Sequence, residues 1–156
     1  MKSGGELSTV LGRQLPYLGP LLVWMAVIAV LSSDFGSSAR TTDPVIRLIQ
    51  KLLLRGHARP ETQLLLDTLL RKSAHLFEYA VLAFLACRWL HFSFPLPGFT
   101  LAAGGTAFTG LYACLDEWHQ LFVRSRSGSA WDVAIDLAGA AIGAALFSWL
   151  RGRAFG

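Results

Sequence analysis

The sequence predicts an all-α integral membrane protein, a four-helix bundle with amphipathic interfacial helices between its first and second spans. Of the 156 residues, 53% are apolar and 15% are charged, and the mean hydropathy is +0.47. Soluble proteins carry about 25% charged residues. The charges also gather in a few segments and leave four long apolar runs. We therefore expect a membrane protein that does not bind nucleic acid.

Four runs are long enough to cross a hydrocarbon core, which takes about 20 residues. We predict spans at residues 15–31, 74–94, 98–118 and 131–150. The first run is longer than the apolar core of a signal peptide, so we interpret it as a span. The short segment "FPLPG" predicts a tight turn between the second and third spans. No soluble domain is indicated, so residues 1–156 form a single membrane domain.

The connection between the first two spans is too long for a simple turn. Residues 43–55 place Arg47, Lys51 and Arg55 at i, i+4 and i+8 among leucines and isoleucines. This pattern predicts an amphipathic helix with a basic stripe in the membrane interface. Residues 59–72 predict a second such helix, with Pro60 in its first turn.

Polar side chains gather where the second span begins, where the third ends, in the turn that follows, and where the fourth begins. Because successive spans alternate in direction, we expect these groups to lie at one depth. A carboxylate at the centre of a span costs about 2.5–3.5 kcal/mol on insertion scales, so such groups usually mark function. The predicted ligand-binding residues are Lys72, His75, Glu78, Tyr79, Asp116, Glu117, His119, Gln120, Arg124, Arg126, Asp132 and Asp136.

Three chemistries fit this set, and the sequence does not decide between an enzyme and a binding protein. A divalent metal would take His75, Asp116 and His119 as ligands. Acid–base catalysis in a membrane-embedded hydrolase or transferase would use His75, Glu117 and His119. Alternatively, cations would hold an anionic head group; these are Lys72, Arg124 and Arg126.

A purely structural interpretation also remains open, in which the polar cluster only locks the bundle. Asp132 would then complete a capping box with Ser129. Gly139 and Gly143 form a small-residue pair at i, i+4, which is typical of close helix packing and would also serve an oligomer.

Two motifs resemble the VanZ-like family of bacterial membrane proteins: "KSAHLFEYAVLAFL" from Lys72 and "DEWHQLFVRSRSGSAWDVAIDLAGAAIG" from Asp116, with Ser32 after the first span. The family usually has Lys–x–x–His–x–x–x–Tyr, then Asp-Glu–x–His-Gln, then Arg, then Asp before a glycine-rich final span. The matching residues here are Lys72, His75, Tyr79, Asp116, Glu117, His119, Gln120, Arg126 and Asp132.

The resemblance implies a protein of the bacterial cytoplasmic membrane linked to low-level resistance to the glycopeptide teicoplanin. Because that drug acts outside this membrane, the resemblance favours an extracytoplasmic polar site in the cell envelope. The partners it suggests are membrane lipids, including a lipid-linked envelope precursor. Charge counting points the other way: nine of the 14 lysines and arginines lie on the side of the polar turn, which the positive-inside rule would place in the cytoplasm.

Overall fold

A computed structural model describes residues 4–33, 48, 60–122 and 129–155, and the side chains of residues 12–33, 48, 61–122 and 129–153. In this part of the chain, four helices and no strands occur. They are α1 (Gly4–Ser32), α2 (Pro60–Ser93), α3 (Gly98–Gln120) and α4 (Ala130–Phe155). The predicted all-α bundle is confirmed.

The helix ends follow the sequence signals. Pro97 caps the start of α3 with an extended backbone, at φ −64° and ψ 154°. Residues 94–97 therefore form the short connection that "FPLPG" predicts, and α2 and α3 are antiparallel neighbours. Pro16 and Pro20 lie inside α1, which continues past both of them.

Three helical segments of the described chain are long and apolar enough to cross a membrane: Gly12–Ser32, Gly98–Gln120 and Ala130–Arg153. They agree with the first, third and fourth predicted spans. Residues 74–93 of the predicted second span lie within α2, which is not among the three segments. His75, Glu78 and Arg88 interrupt that stretch, and a span there stays a prediction.

The predicted interfacial helices have different outcomes. Residues 43–55 lie outside the described part of the chain, apart from Leu48. Residues 60–72 are helical, and the helix begins at Pro60 as expected, but they form the first part of α2 without a break before residue 74. This stretch exposes Leu64, Leu65 and Leu69, which is consistent with an apolar face.

α2 and α4 form the most extensive helix pair and run parallel. A Cβ on Gly139 would overlap the backbone carbonyl of Leu76, and a Cβ on Gly143 would overlap that of Ala80. The two glycines thus allow the backbones of α2 and α4 to touch within one chain. An oligomer through these glycines, which the sequence left open, would need a face that α2 already covers.

α1 packs along α2 and more lightly against α3. The indole N–H of Trp24 donates to the backbone carbonyl of Glu78 at 2.9 Å, and the hydroxyl of Tyr112 donates to that of Met25 at 2.7 Å. Leu21 and Ile28 enter the shared core. The last turn of α1 is thereby held beside the polar ends of α2 and α3, which we call the polar end of the bundle (residues 32, 72–79, 116–120 and 129–136).

Candidate functional site

Two polar side-chain pairs join α2 to α4 at the polar end, and we call Lys72–Asp132 the outer rung and His75–Asp136 the inner rung. Nζ of Lys72 lies 3.1 Å from Oδ1 of Asp132, and Nδ1 of His75 lies 3.1 Å from Oδ1 of Asp136. The two pairs join residues of α2 and α4 at nearly the same sequence separation, because two parallel helices in contact rise together along their axes. The outer rung is partly exposed, with side-chain exposures of 31% for Lys72 and 21% for Asp132. The inner rung is more buried, with side-chain exposures of 12% for His75 and 0% for Asp136.

Asp116 joins three helices through one oxygen. Its Oδ2 accepts hydrogen bonds from the hydroxyl of Ser32 at 2.8 Å, the hydroxyl of Tyr79 at 3.1 Å and the side-chain amide of Gln120 at 3.0 Å. All four side chains are buried. Three hydrogen bonds that converge on one buried oxygen therefore fix the end of α1 against α2 and α3.

Glu117 connects α3 to the start of α4. Its Oε2 accepts the backbone N–H of Ser129 at 2.8 Å. The hydroxyl of Ser129 in turn accepts the N–H of Trp131 at 3.2 Å. In a capping box, the carboxylate of Asp132 would accept the backbone N–H of Ser129. Here Glu117 accepts that N–H, and the carboxylate of Asp132 pairs with Lys72 instead. The interpretation of Asp132 as a helix cap alone is therefore wrong.

One imidazole and two carboxylates meet at the centre of the polar end. His75, Glu117 and Asp136 each offer a ligand atom, and these atoms lie within 4.8 Å of one another. We call these residues the central trio. Oε1 of Glu117 and Oδ2 of Asp136 are buried and have no hydrogen-bond partner in the structure. Such orphaned oxygens are costly, because each loses its hydration without replacement.

The described polar end is acidic. Five carboxylates (Glu78, Asp116, Glu117, Asp132 and Asp136) accompany Lys72 and His75. Lys72 pairs with Asp132 in the outer rung, and His75 pairs with Asp136 in the inner rung. The arrangement can therefore bind a cation in its interior and offer the ammonium group of Lys72 at its rim.

Most of the predicted ligand-binding residues come together. The structure groups Lys72, His75, Tyr79, Asp116, Glu117, Gln120, Asp132 and Asp136. His119 is instead exposed at the end of α3, away from the central trio, so the predicted metal set of His75, Asp116 and His119 differs from the group that the geometry assembles. Glu78 is half-buried and next to Tyr79. Arg124 and Arg126 lie outside the described residues.

Two contributors were not among the predicted site residues. Ser32 donates to Asp116, and Ser129 donates to Glu117. A hydroxyl residue directly after an apolar span was the available signal for Ser32. The role of Ser129 rests on its backbone N–H, which every residue except proline possesses, so its identity could not reveal that contact.

One of three comparisons with known proteins identifies a family. A sequence model of the family described as VanZ/LLP1 matches residues 17–151. The match begins in α1, ends in α4 and includes every residue of the polar end. Searches of curated proteins and of solved structures found no significant match.

Proposed function

This chain belongs to the VanZ/LLP1 family, and from its polar end we propose that this membrane protein binds the anionic head group of an envelope lipid. The observation that carries the proposal is the outer rung. Lys72 is held by Asp132 at 3.1 Å and keeps about a third of its side chain exposed. An ammonium group has three N–H donors, so donors remain for a phosphate oxygen after the bond to Asp132.

The surroundings of Lys72 favour an anion at the rim. α4 begins at Ala130, two residues before the partner of Lys72, and a helix N-terminus attracts negative charge. The predicted ligands Arg124 and Arg126 precede this N-terminus in the sequence. The buried carboxylates lie deeper, where Asp116 and Glu117 are engaged with donors from the protein.

The outer surface next to the polar end suits acyl chains. Phe77 is 61% exposed on α2, Trp118 is 61% exposed on α3, and Trp131 is 70% exposed on α4. Exposed aromatic side chains beside polar groups are typical of the membrane interface. A lipid would therefore place its head group at Lys72 and its chains along these aromatics.

We place the polar end on the extracytoplasmic side in this proposal. Lipid-linked cell-wall precursors, which carry phosphate groups, are then the first ligands to consider. Binding such a precursor would connect the protein to teicoplanin, which acts outside the cytoplasmic membrane. The same chemistry would also accept an ordinary anionic phospholipid, so the experiment compares several lipids.

Lipid retention in native mass spectrometry tests this proposal. Purified protein is mixed with phosphatidylglycerol, phosphatidylcholine or an undecaprenyl-phosphate-linked lipid, and bound lipid is counted. We expect Lys72→Ala to lower retention of the anionic lipids by about tenfold, which corresponds to one lost charge-assisted contact of about 1.4 kcal/mol. Preference for the undecaprenyl lipid over phosphatidylglycerol would identify the envelope precursor.

Arg71→Ala is the matched control, because it removes the same charge from the adjacent position of α2 without disturbing the pair with Asp132. It should retain anionic lipid like the wild type. Equal losses in both variants would show that general surface charge attracts the lipid. Unchanged retention in Lys72→Ala would contradict a head-group site at the outer rung.

A further inference from the structure

The central trio has the composition of a metal site. His75 comes from α2, Glu117 from α3 and Asp136 from α4, and their ligand atoms lie within 4.8 Å of one another. The four ligands of a tetrahedral zinc ion, each about 2.1 Å from the metal, lie about 3.4 Å apart. The three ligand atoms would have to approach one another by up to about 1.4 Å to reach that spacing.

The orphaned oxygens point independently to an occupant. Asp136 uses Oδ1 for His75, and Glu117 uses Oε2 for the N–H of Ser129. The second oxygen of each carboxylate is buried without a hydrogen-bond partner in the structure. The exposed fractions are 0% for Asp136 and 5% for Glu117. A cation between the two carboxylates would satisfy both orphaned oxygens at once.

The described protein groups around the trio do not supply that cation. Lys72 pairs with Asp132, and the imidazole of His75 pairs with Oδ1 of Asp136. Two buried carboxylates that share one imidazole therefore leave negative charge uncompensated within the described chain. Burying such charge is unfavourable unless it is paired or bound to a metal.

We propose that His75, Glu117 and Asp136 bind one divalent transition-metal ion, with Zn²⁺ as the best-fitting ion. One imidazole nitrogen and two carboxylate oxygens are ligands that Zn²⁺ accepts, and three protein ligands leave a fourth position open. The ion reaches the trio from the polar end, where the side chain of His75 keeps 12% exposure below the outer rung. This site does not require the lipid proposed above, and either ligand can bind without the other.

Calorimetric titration of chelator-treated protein with Zn²⁺ alone, in detergent without added lipid, tests the site. We expect about one ion per chain. Asp136→Asn and Glu117→Gln should each weaken binding by at least about tenfold, since even outer-shell changes at metal sites cost 10–100-fold. Glu61→Gln is the control, because it removes an exposed carboxylate from the first turn of α2, and it should bind like the wild type.

Several results would overturn the site. They are a wild-type titration without saturable binding, a wild-type affinity for Zn²⁺ in both trio variants, or a Co²⁺-substituted protein with a thiolate charge-transfer band, which would assign the metal to Cys87 or Cys114. If Asp136→Asn does not fold, Glu117→Gln decides the question. Lipid retention by Lys72 is measured separately, so a failed zinc titration leaves the lipid proposal standing and a failed lipid assay leaves the metal proposal standing.

Discussion

At the residue scale, Asp116 shows how a buried charge can be held by neutral donors. Three hydrogen bonds from Ser32, Tyr79 and Gln120 end on its Oδ2. The three donors come from three different helices. Removing the carboxylate would leave buried donors unpaired, whereas removing one donor would leave two others in place.

We therefore expect Asp116→Ala to destabilise the protein far more than Tyr79→Phe. Tyr79→Phe should cost about 1–2 kcal/mol, and Asp116→Ala several kcal/mol, because each orphaned donor adds about 1–3 kcal/mol. Thermal melting in detergent measures both. Tyr17→Phe, which removes a hydroxyl at the opposite end of the bundle where Tyr17 stacks on Phe92, should melt like the wild type. An Asp116→Ala protein with the wild-type melting temperature would contradict this role.

The orientation of His119 could not be predicted from residue spacing alone. Asp116, His119 and Gln120 fit one helical face at i, i+3 and i+4. The structure instead buries Asp116, Glu117 and Gln120, with Ala113 one turn earlier. The centre of this buried stripe lies between Asp116 and Glu117, which turns His119 outward. Residue spacing alone does not tell which of these two faces of α3 is buried, because that depends on where α2 and α4 pack.

At the element scale, apolar runs predicted where α1, α3 and α4 lie, but not that residues 60–93 form one helix. The third and fourth spans begin within one residue of the predicted positions. Residues 59–72 and 74–94 differ in composition, so they suggested two helices. Arg71, Lys72 and Ser73 contain no helix breaker, and α2 continues through them. Composition changed there, but helix propensity did not.

The α2–α4 contact predicts a sharp difference between two glycines of the same helix. A Cβ at position 143 would overlap the backbone of Ala80, whereas a Cβ at position 152 would meet nothing within 4 Å. Gly143→Ala should separate the helices and lower stability by about 1–3 kcal/mol through overpacking. Gly152→Ala should be neutral or slightly stabilising, because alanine favours a helix. The expected difference is measured by thermal melting in detergent, and equal melting temperatures would argue against close contact at Gly143.

At the scale of the whole molecule, all described polar contacts between α2, α3 and α4 that involve carboxylates lie at one end of the bundle. The opposite end, around residues 94–97, joins α2 to α3 by a short turn. This asymmetry gives the protein one polar side on which a head group and a metal ion would bind. Our account places that side toward the envelope, where lipid-linked precursors occur.

The orientation of α3 tests this central claim most directly. Phe99 and Phe122 are 86% and 75% exposed near the two ends of α3. Each is replaced by cysteine in a Cys87→Ser, Cys114→Ser background, and intact cells are treated with a membrane-impermeant maleimide. We expect labelling of Phe122→Cys in intact cells and of Phe99→Cys only after permeabilisation. The reverse pattern would place the polar end in the cytoplasm, as the lysine and arginine count indicates, and would contradict an envelope ligand.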